Sequence, residues 1–158
     1  MKLGTILVPL DGSALAETAL PRALDLAEVS GGHLLLLRAA QASTLPGIDP
    51  IEDQVRAVKE AETYLAEVEV RLRQLSSVKV ESAVWYGPAA AAIVEAARAR
   101  GVDEIVMTTH GRSGLGRLLL GSVAESVLRG TTTPLLLLRA AGAPVERPSG
   151  KASAWGNR

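Results

Sequence analysis

Two short stretches of this 158-residue chain bring together residue types that can do chemistry. In the first, an apolar run from Thr5 to Leu10 ends on one carboxylate, as Pro9-Leu10-Asp11-Gly12-Ser13. Asp11 and Ser13 suit the start of a helix, where side-chain oxygens accept from backbone N–H groups. A carboxylate at a strand tip also suits accepting hydrogen bonds from a sugar hydroxyl, and the two roles are compatible. The second stretch runs from Thr108 to Ser122 and is polar and rich in glycine. Gly111, Gly114 and Gly116 let backbone N–H groups approach a bound group closely, and Gly121-Ser122 opens a helix, whose N-terminus attracts anions. Phosphate is the natural guest. The loop holds no P-loop pattern, and no Gly-x-Gly-x-x-Gly, because Leu119 stands where the third glycine is required.

The elements around these stretches follow from the apolar pattern. Thr5 to Leu10 is an uninterrupted apolar run of the kind found in strands covered on both faces, and Leu34 to Leu37, Asp103 to Met107 and Pro134 to Leu138 read as further strands. Val78 to Val84 alternates, as a strand nearer a sheet edge does. A helix capped by Ser13 is expected to run through Glu28 and to bend at Pro21, which costs it a backbone hydrogen bond. Beyond a loop from Ser43 to Pro50, read as the most mobile segment, Ile51, Val55, Val58, Ala61, Leu65, Val68, Leu72 and Leu75 recur every three or four residues, the mark of an amphipathic helix. Gly87-Pro88 opens another helix with proline in its first turn, and Gly101 closes it. Ser122-Val123-Ala124-Glu125 reads as a capping box for a helix ending at Gly130. Strands alternating with helices predict one α/β domain over residues 1–140, a doubly wound five-stranded parallel sheet with helices on both faces. Residues 141–158 read as a disordered tail. In such sheets ligands bind outside the carboxyl ends of strands where strand order reverses, which makes the stretches after the first and fourth strands the ones to watch.

Composition narrows the function. Seventeen basic residues balance 17 acidic ones, removing the electrostatic footprint of nucleic-acid binding. Tyr64, Trp85, Tyr86 and Trp155 are the only aromatic residues, too few for a base-stacking platform. With no cysteine there is no disulfide, thiolate zinc site or catalytic thiol. No apolar stretch reaches about 18 residues and the start carries no signal-peptide pattern. A soluble cytoplasmic protein, binding neither nucleic acid nor membrane, is expected.

On these residues the chain resembles the universal stress protein family, whose nucleotide-binding members carry Gly-x2-Gly-x9-Gly-Ser/Thr after the fourth strand. Here the pattern reads Thr108-x2-Gly111-x9-Gly121-Ser122, with threonine in place of the first glycine. The Val8-Pro9-Leu10-Asp11-Gly12-Ser13 opening, the Gly87-Pro88 helix start and the last strand match as well, over about residues 1 to 140. The resemblance implies strand order 3-2-1-4-5 and an ATP (or ADP or AMP) ligand, with or without Mg²⁺. It places Asp11 on the ribose, Pro9, Leu10 and Ala39 around adenine, Met107 and Thr108 at the neighbouring strand end, and Gly111, Gly121, Ser122 and Val123 on the phosphates. Arg112 is added from its place beside Gly111 as a phosphate contact, and His110 is read as a bystander. The Thr108 side chain stands where the family has none, either narrowing the slot or lending a hydroxyl.

Fast hydrolysis needs a base for water and a charge clamp on the transferring phosphate. Only Asp11, His110 and Arg112 offer themselves, Asp11 is assigned to the sugar, and no second acid lies in either loop. The expectation is therefore a nucleotide-bound stress sensor or switch, not an enzyme, acting through an unidentified protein partner. The alternatives are a stress scaffold that works by protein contacts alone and a slow ATP hydrolase. The apolar edge strand Leu135-Leu136-Leu137-Leu138 invites pairing with its own copy, so a homodimer through that strand is expected.

Overall fold

In the computed structural model, the structure describes residues 3–43, 46–109, 120–139, 145 and 148–150. Five strands, β1 (Thr5–Pro9), β2 (His33–Ala40), β3 (Val80–Tyr86), β4 (Glu104–Thr108) and β5 (Leu135–Leu138), form one sheet in the order β3-β2-β1-β4-β5. Every pairing is parallel. The helices are α1 (Ala14–Glu17), α2 (Leu20–Ser30), α3 (Pro50–Leu75), α4 (Ala89–Ala99) and α5 (Ser122–Gly130). Side-chain alternation along the strands divides the core into two layers. Ile6, Val8, Leu34, Leu36 and Val106 face α2 and α3. Leu7, Leu35, Leu37, Ile105 and Met107 face α4 and α5. The doubly wound sheet expected from the apolar runs is the one present.

Strand order reverses between β1 and β4, and there the ladder is shortest. The two pair at Ile6–Glu104 and Leu7–Ile105 and no further. On its other side β1 stays paired with β2 out to Pro9–Leu37, and β4 stays paired with β5 out to Thr108–Leu138. Pro9, lacking an N–H, offers no donor at the point where the central strands part. The sheet therefore splits at its carboxyl edge, between β1 and β4.

Several local expectations need correction. The helix expected through Glu28 is two helices: α1 stops at Glu17, and Pro21 lies in the first turn of α2, where its missing N–H costs nothing. Pro88 is the N-cap of α4, not a residue of its first turn. Gly121, not Ser122, caps α5, no side chain caps it, and the capping box is not made. In α3 the apolar stripe holds at Ala61, Leu65, Val68 and Leu72, but Ile51, Val55 and Leu75 are exposed. At about 1.5 Å per residue this 26-residue helix is roughly 39 Å long. The eight-residue β2 spans only about 26 Å, so both helix ends outrun the sheet. Near its start Asp53 takes the buried position, accepting from the Ser43 N–H and the Arg56 guanidinium. The expected tail falls largely outside the described residues, and of the loop between β2 and α3, residues 44 and 45 do too.

The turn from α2 into β2 shows why its glycines are there. Gly31 adopts a left-handed φ of 68° at the helix end with open space around it, whereas a Cβ on Gly32 would lie 2.3 Å from the Leu3 carbonyl oxygen. Gly31→Ala therefore pays only the left-handed backbone cost of about 1 kcal/mol. Gly32→Ala forces β1 and the turn apart and is expected to cost about 1–3 kcal/mol. Urea denaturation of both variants checks this; Gly32→Ala as stable as the wild type would refute the close approach.

Candidate functional site

The split carboxyl edge opens into a cavity of about 370 Å³, within the range of small-molecule sites. Its floor is strand ends: Pro9 and Leu10 from β1 and its exit, Leu37, Arg38 and Ala39 from β2, and Met107, Thr108 and Thr109 from β4 and its exit. Ala89 and Ile93 of α4 form one wall, Ala16 of α1 another, and Gly121, Ser122, Val123 and Ala124 a third at the start of α5. Of the residues expected at the site, Pro9, Leu10, Asp11, Ala39, Met107, Thr108, Gly121, Ser122 and Val123 all line this one cavity. His110, Gly111 and Arg112 lie outside the described residues.

Opposite lips of the cavity have opposite character. On one, the Asp11 carboxylate accepts from the Ser13 N–H at 2.9 Å and from the Ser13 hydroxyl, while Ser13 Oγ accepts from the Ala16 N–H at 3.1 Å. Of the capping role read for Asp11 and Ser13, Ser13 fills it at the start of α1, while Asp11 holds Ser13 and not a helix N–H. A carboxylate accepts along about four lone-pair directions, the same chemistry by which it would receive a hydroxyl donor. On the other lip, α5 begins at Gly121 without a side-chain cap. Its first internal bond runs from Glu125 N to Gly121 O, which leaves the preceding N–H groups of the first turn for an acceptor from outside the helix. Gly121 is itself pinned, its N–H donating to the Thr109 carbonyl at 2.7 Å.

Thr108 is buried at the end of β4, paired with Leu138. No described non-glycine residue has a positive φ, so the backbone at Thr108 does not require glycine. Threonine is accommodated as an ordinary strand residue whose side chain helps to line the cavity.

Sequence reading missed Arg38, Leu37, Ala16, Ala89, Ile93, Thr109 and Ala124. The signal in the chain was alanine: Ala16, Ala39, Ala89 and Ala124 all face the cavity, so volume is left by small side chains from four elements. Arg38 has a further support. Its guanidinium carbon lies 4.8 Å from the centre of the Tyr64 ring on α3, a cation–π contact. The Tyr64 hydroxyl donates to Glu17 at 2.9 Å, and Arg71 pairs with the same carboxylate at 3.0 Å. Burial above all, then the hydrogen bond to Glu17, pushes the Tyr64 hydroxyl well above its ordinary pKa, with Arg38 pulling weakly the other way.

Because the folded pKa is raised, the stabilisation from neutral Tyr64 is complete below the unfolded value of about 10 and is lost as pH rises above it. Stability measured by urea from pH 8 to 11 is expected to fall more steeply in the wild type than in Tyr64→Phe above pH 10. Parallel profiles would refute the linkage.

The arrangement can take a flat apolar group between strand ends and small side chains, a hydroxyl on the Asp11 lip and an anion on the α5 lip. Among the described residues no three His, Cys, Asp or Glu side chains gather as a metal site, and Asp11 is the one carboxylate among the described lining residues. These side chains do not by themselves form a cage for Mg²⁺. No helix of the described residues is long and apolar enough to cross a membrane.

Known proteins resemble this chain in sequence and in fold. A universal stress protein of Methanocaldococcus jannaschii, MJ0531, is 30% identical over 139 residues, covering 85% of this chain and 81% of its own. YxiE of Bacillus subtilis, also a universal stress protein, is 31% identical, covering 85% and 97%. Among solved structures, hypothetical protein MJ0577, a universal stress protein of M. jannaschii, superposes with a TM-score of 0.78 at 26% identity, over 90% of this chain and 99% of that one. A universal stress protein solved in complex with cAMP superposes with a TM-score of 0.70 at 25% identity, over 89% and 100%. The family model for universal stress proteins matches residues 2–139, and with the order β3-β2-β1-β4-β5 and the cavity at its switch point, this chain belongs to the universal stress protein family.

Proposed function

We propose that this protein binds an adenine nucleotide, ATP, ADP or AMP, in the cavity between β1 and β4 and acts as a cytoplasmic stress-response sensor or switch. The observation that carries the reading is the pairing of a hydrogen-bond-accepting carboxylate with an uncapped helix start across one apolar cavity. The relative solved with cAMP supports the adenine nucleotide class. In this reading Asp11 accepts from the ribose, and Pro9, Leu10, Ala39, Met107 and Thr108 enclose adenine. Gly121, Ser122 and Val123 hold the phosphates together with Gly111 and Arg112. Where Mg²⁺ accompanies the nucleotide, phosphate oxygens and water would supply its ligands. Residues 1–140 are the working domain, and 141–158 lie beyond it.

Magnitudes say which part matters. A helix N-terminus gives an anion about 0.3–1 kcal/mol, up to roughly 2 when partly buried, while micromolar affinity needs about 8 kcal/mol. Burying a flat ring system of about 150–250 Å² at roughly 25 cal/mol per Å² adds about 4–6 kcal/mol before association costs. The apolar slot is as necessary as the phosphate cradle. Binding, not turnover, is the proposed activity, because the described lining holds no second carboxylate to act as base once Asp11 is on the sugar.

Calorimetric titration of nucleotide-stripped protein with ATP, ADP and AMP tests the site from both ends. Ala39→Phe is expected to fill the slot and abolish binding of all three. Gly121→Val is expected to weaken ATP by at least about tenfold, roughly 1.4 kcal/mol. Equal ATP affinity in wild type and both variants, with melting temperatures showing them folded, would remove the proposal.

The edge strand β5 supplies the second part of the reading. All four of its residues are half-buried in the single chain, and among the described residues β4 is the only strand paired with it, the state in which an edge invites another strand. Two copies paired there across a two-fold axis are expected, giving a dimer mass in light scattering at micromolar concentration. A monomer mass would overturn this pairing.

A further inference from the structure

Arg38 is the one cavity residue whose support and whose chemistry point in different directions. Its side chain rests on the Tyr64 ring, and Tyr64 is fixed in turn through Glu17 and Arg71. Its guanidinium also lies against the turn after β1: a Cβ on Gly12 would sit 3.2 Å from Arg38 Nη1 and 3.3 Å from Nη2. Gly12, with φ of 84°, is thus glycine both for its backbone and for the cation beside it. Ring and turn hold the group from two sides, yet neither accepts its protons in a hydrogen bond. Among the described residues the guanidinium makes no hydrogen bond and no ion pair. A guanidinium has five N–H donors in a fixed planar fork suited to phosphate. This one is half-buried and pre-positioned in the lining of a ligand cavity, with its donors unspent on described protein atoms.

Its position decides what it meets. Gly12 follows Asp11, so the cation stands on the Asp11 lip of the cavity, whereas the phosphate cradle of the proposed function is on the α5 lip. A strand-tip carboxylate matches a free ribose hydroxyl, while a neighbouring arginine is what accommodates a phosphate esterified to that hydroxyl. Here both line one cavity, the guanidinium lying against the turn that follows Asp11, and Asp11 is already engaged by the Ser13 N–H and hydroxyl.

We propose that Arg38 is a specificity-determining residue that recognises a phosphate on the ribose 2′ or 3′ oxygen, so that the cavity favours adenine nucleotides phosphorylated at the sugar as well as at the 5′ end. The proposal rests on the nucleotide reading above and deepens it. Tyr64 and Gly12 fix the guanidinium so that little side-chain entropy is lost when the phosphate binds. The 5′ phosphate remains with the start of α5. No bond is made or broken.

The test compares adenosine 5′-monophosphate with adenosine 2′,5′-bisphosphate and 3′,5′-bisphosphate by calorimetry on stripped full-length protein; the two bisphosphates distinguish the sugar positions. At least one bisphosphate is expected to bind about tenfold more tightly than the monophosphate, as charge-assisted fork contacts allow. That ratio is expected to fall to about one in Arg38→Gln. Arg38→Lys, which keeps the charge but loses the fork, is expected to retain part of it. Arg98→Gln, at an exposed ion pair on α4 with Glu95, should leave the ratio as it is. A ratio near one in the wild type, or one that survives in Arg38→Gln, overturns the role of Arg38 while monophosphate binding leaves the proposed function standing. Failure of all three ligands to bind overturns both.

Discussion

The early parting of β1 and β4 is the constraint on which the rest of the site depends. A parallel sheet gains by pairing its strands along their full length, and both central strands do so on their outer sides. Between them the ladder stops after Leu7–Ile105. Ile6, Leu7 and Val8 on one side and Ile105 and Val106 on the other are fully buried, so the strands that part are anchored in the core of the molecule. The opening is consequently a feature of rigid elements, not of loops, and groups placed on its rim keep their positions at small entropic cost. Pro9 contributes by withholding a donor, and the chain direction does the remainder: α4 and α5 return on one face and α2 and α3 on the other.

What stands on the rim follows from that geometry. Exits from β1 and β4 lie side by side although almost 100 residues separate them in sequence, so a carboxylate and a helix start meet that no local pattern would join. The cavity is kept open by subtraction. Alanines at 16, 39, 89 and 124 remove volume where larger side chains would have closed the split, and Gly121 removes the side chain that would otherwise have capped α5. A carboxylate that caps its own turn and remains on the rim, as Asp11 does, shows that stabilising the fold and equipping the site are one arrangement here.

The fold was readable because buried parallel strands leave continuous apolar runs, and Leu34 to Leu37 or Ile105 to Met107 admit little else. The cavity was readable in outline because strand exits at a switch point are where such sheets open. Less legible was anything decided by neighbours distant in the chain. Pro21 could bend one helix or begin another; the sequence around it is compatible with either, and packing of Leu20, Ala23, Leu24 and Ala27 on the sheet selects the second. Ser122 looks like a cap in isolation, but Gly121 is tied to the Thr109 carbonyl and starts the helix one residue sooner. The periodicity of α3 could not reveal that its first turns run past the sheet, where Asp53 finds the Ser43 N–H and Ile51 finds solvent.

Arg38 shows the same limit most clearly, and also what it conceals. At the end of an apolar strand, a lone arginine reads as the point where the chain returns to water. Its surroundings come from three places: Tyr64 from the middle of α3, Gly12 from the exit of β1, and Glu17 from the last residue of α1. Because these contacts run in series, from Arg71 and Glu17 through Tyr64 to Arg38, the cavity lip is mechanically joined to the solvent-facing layer of α1 and α3. Removing Tyr64 would leave the guanidinium without its platform even though Tyr64 is not itself part of the cavity lining. Charge in this site is therefore set less by which residues carry it than by which neutral surfaces hold it in place.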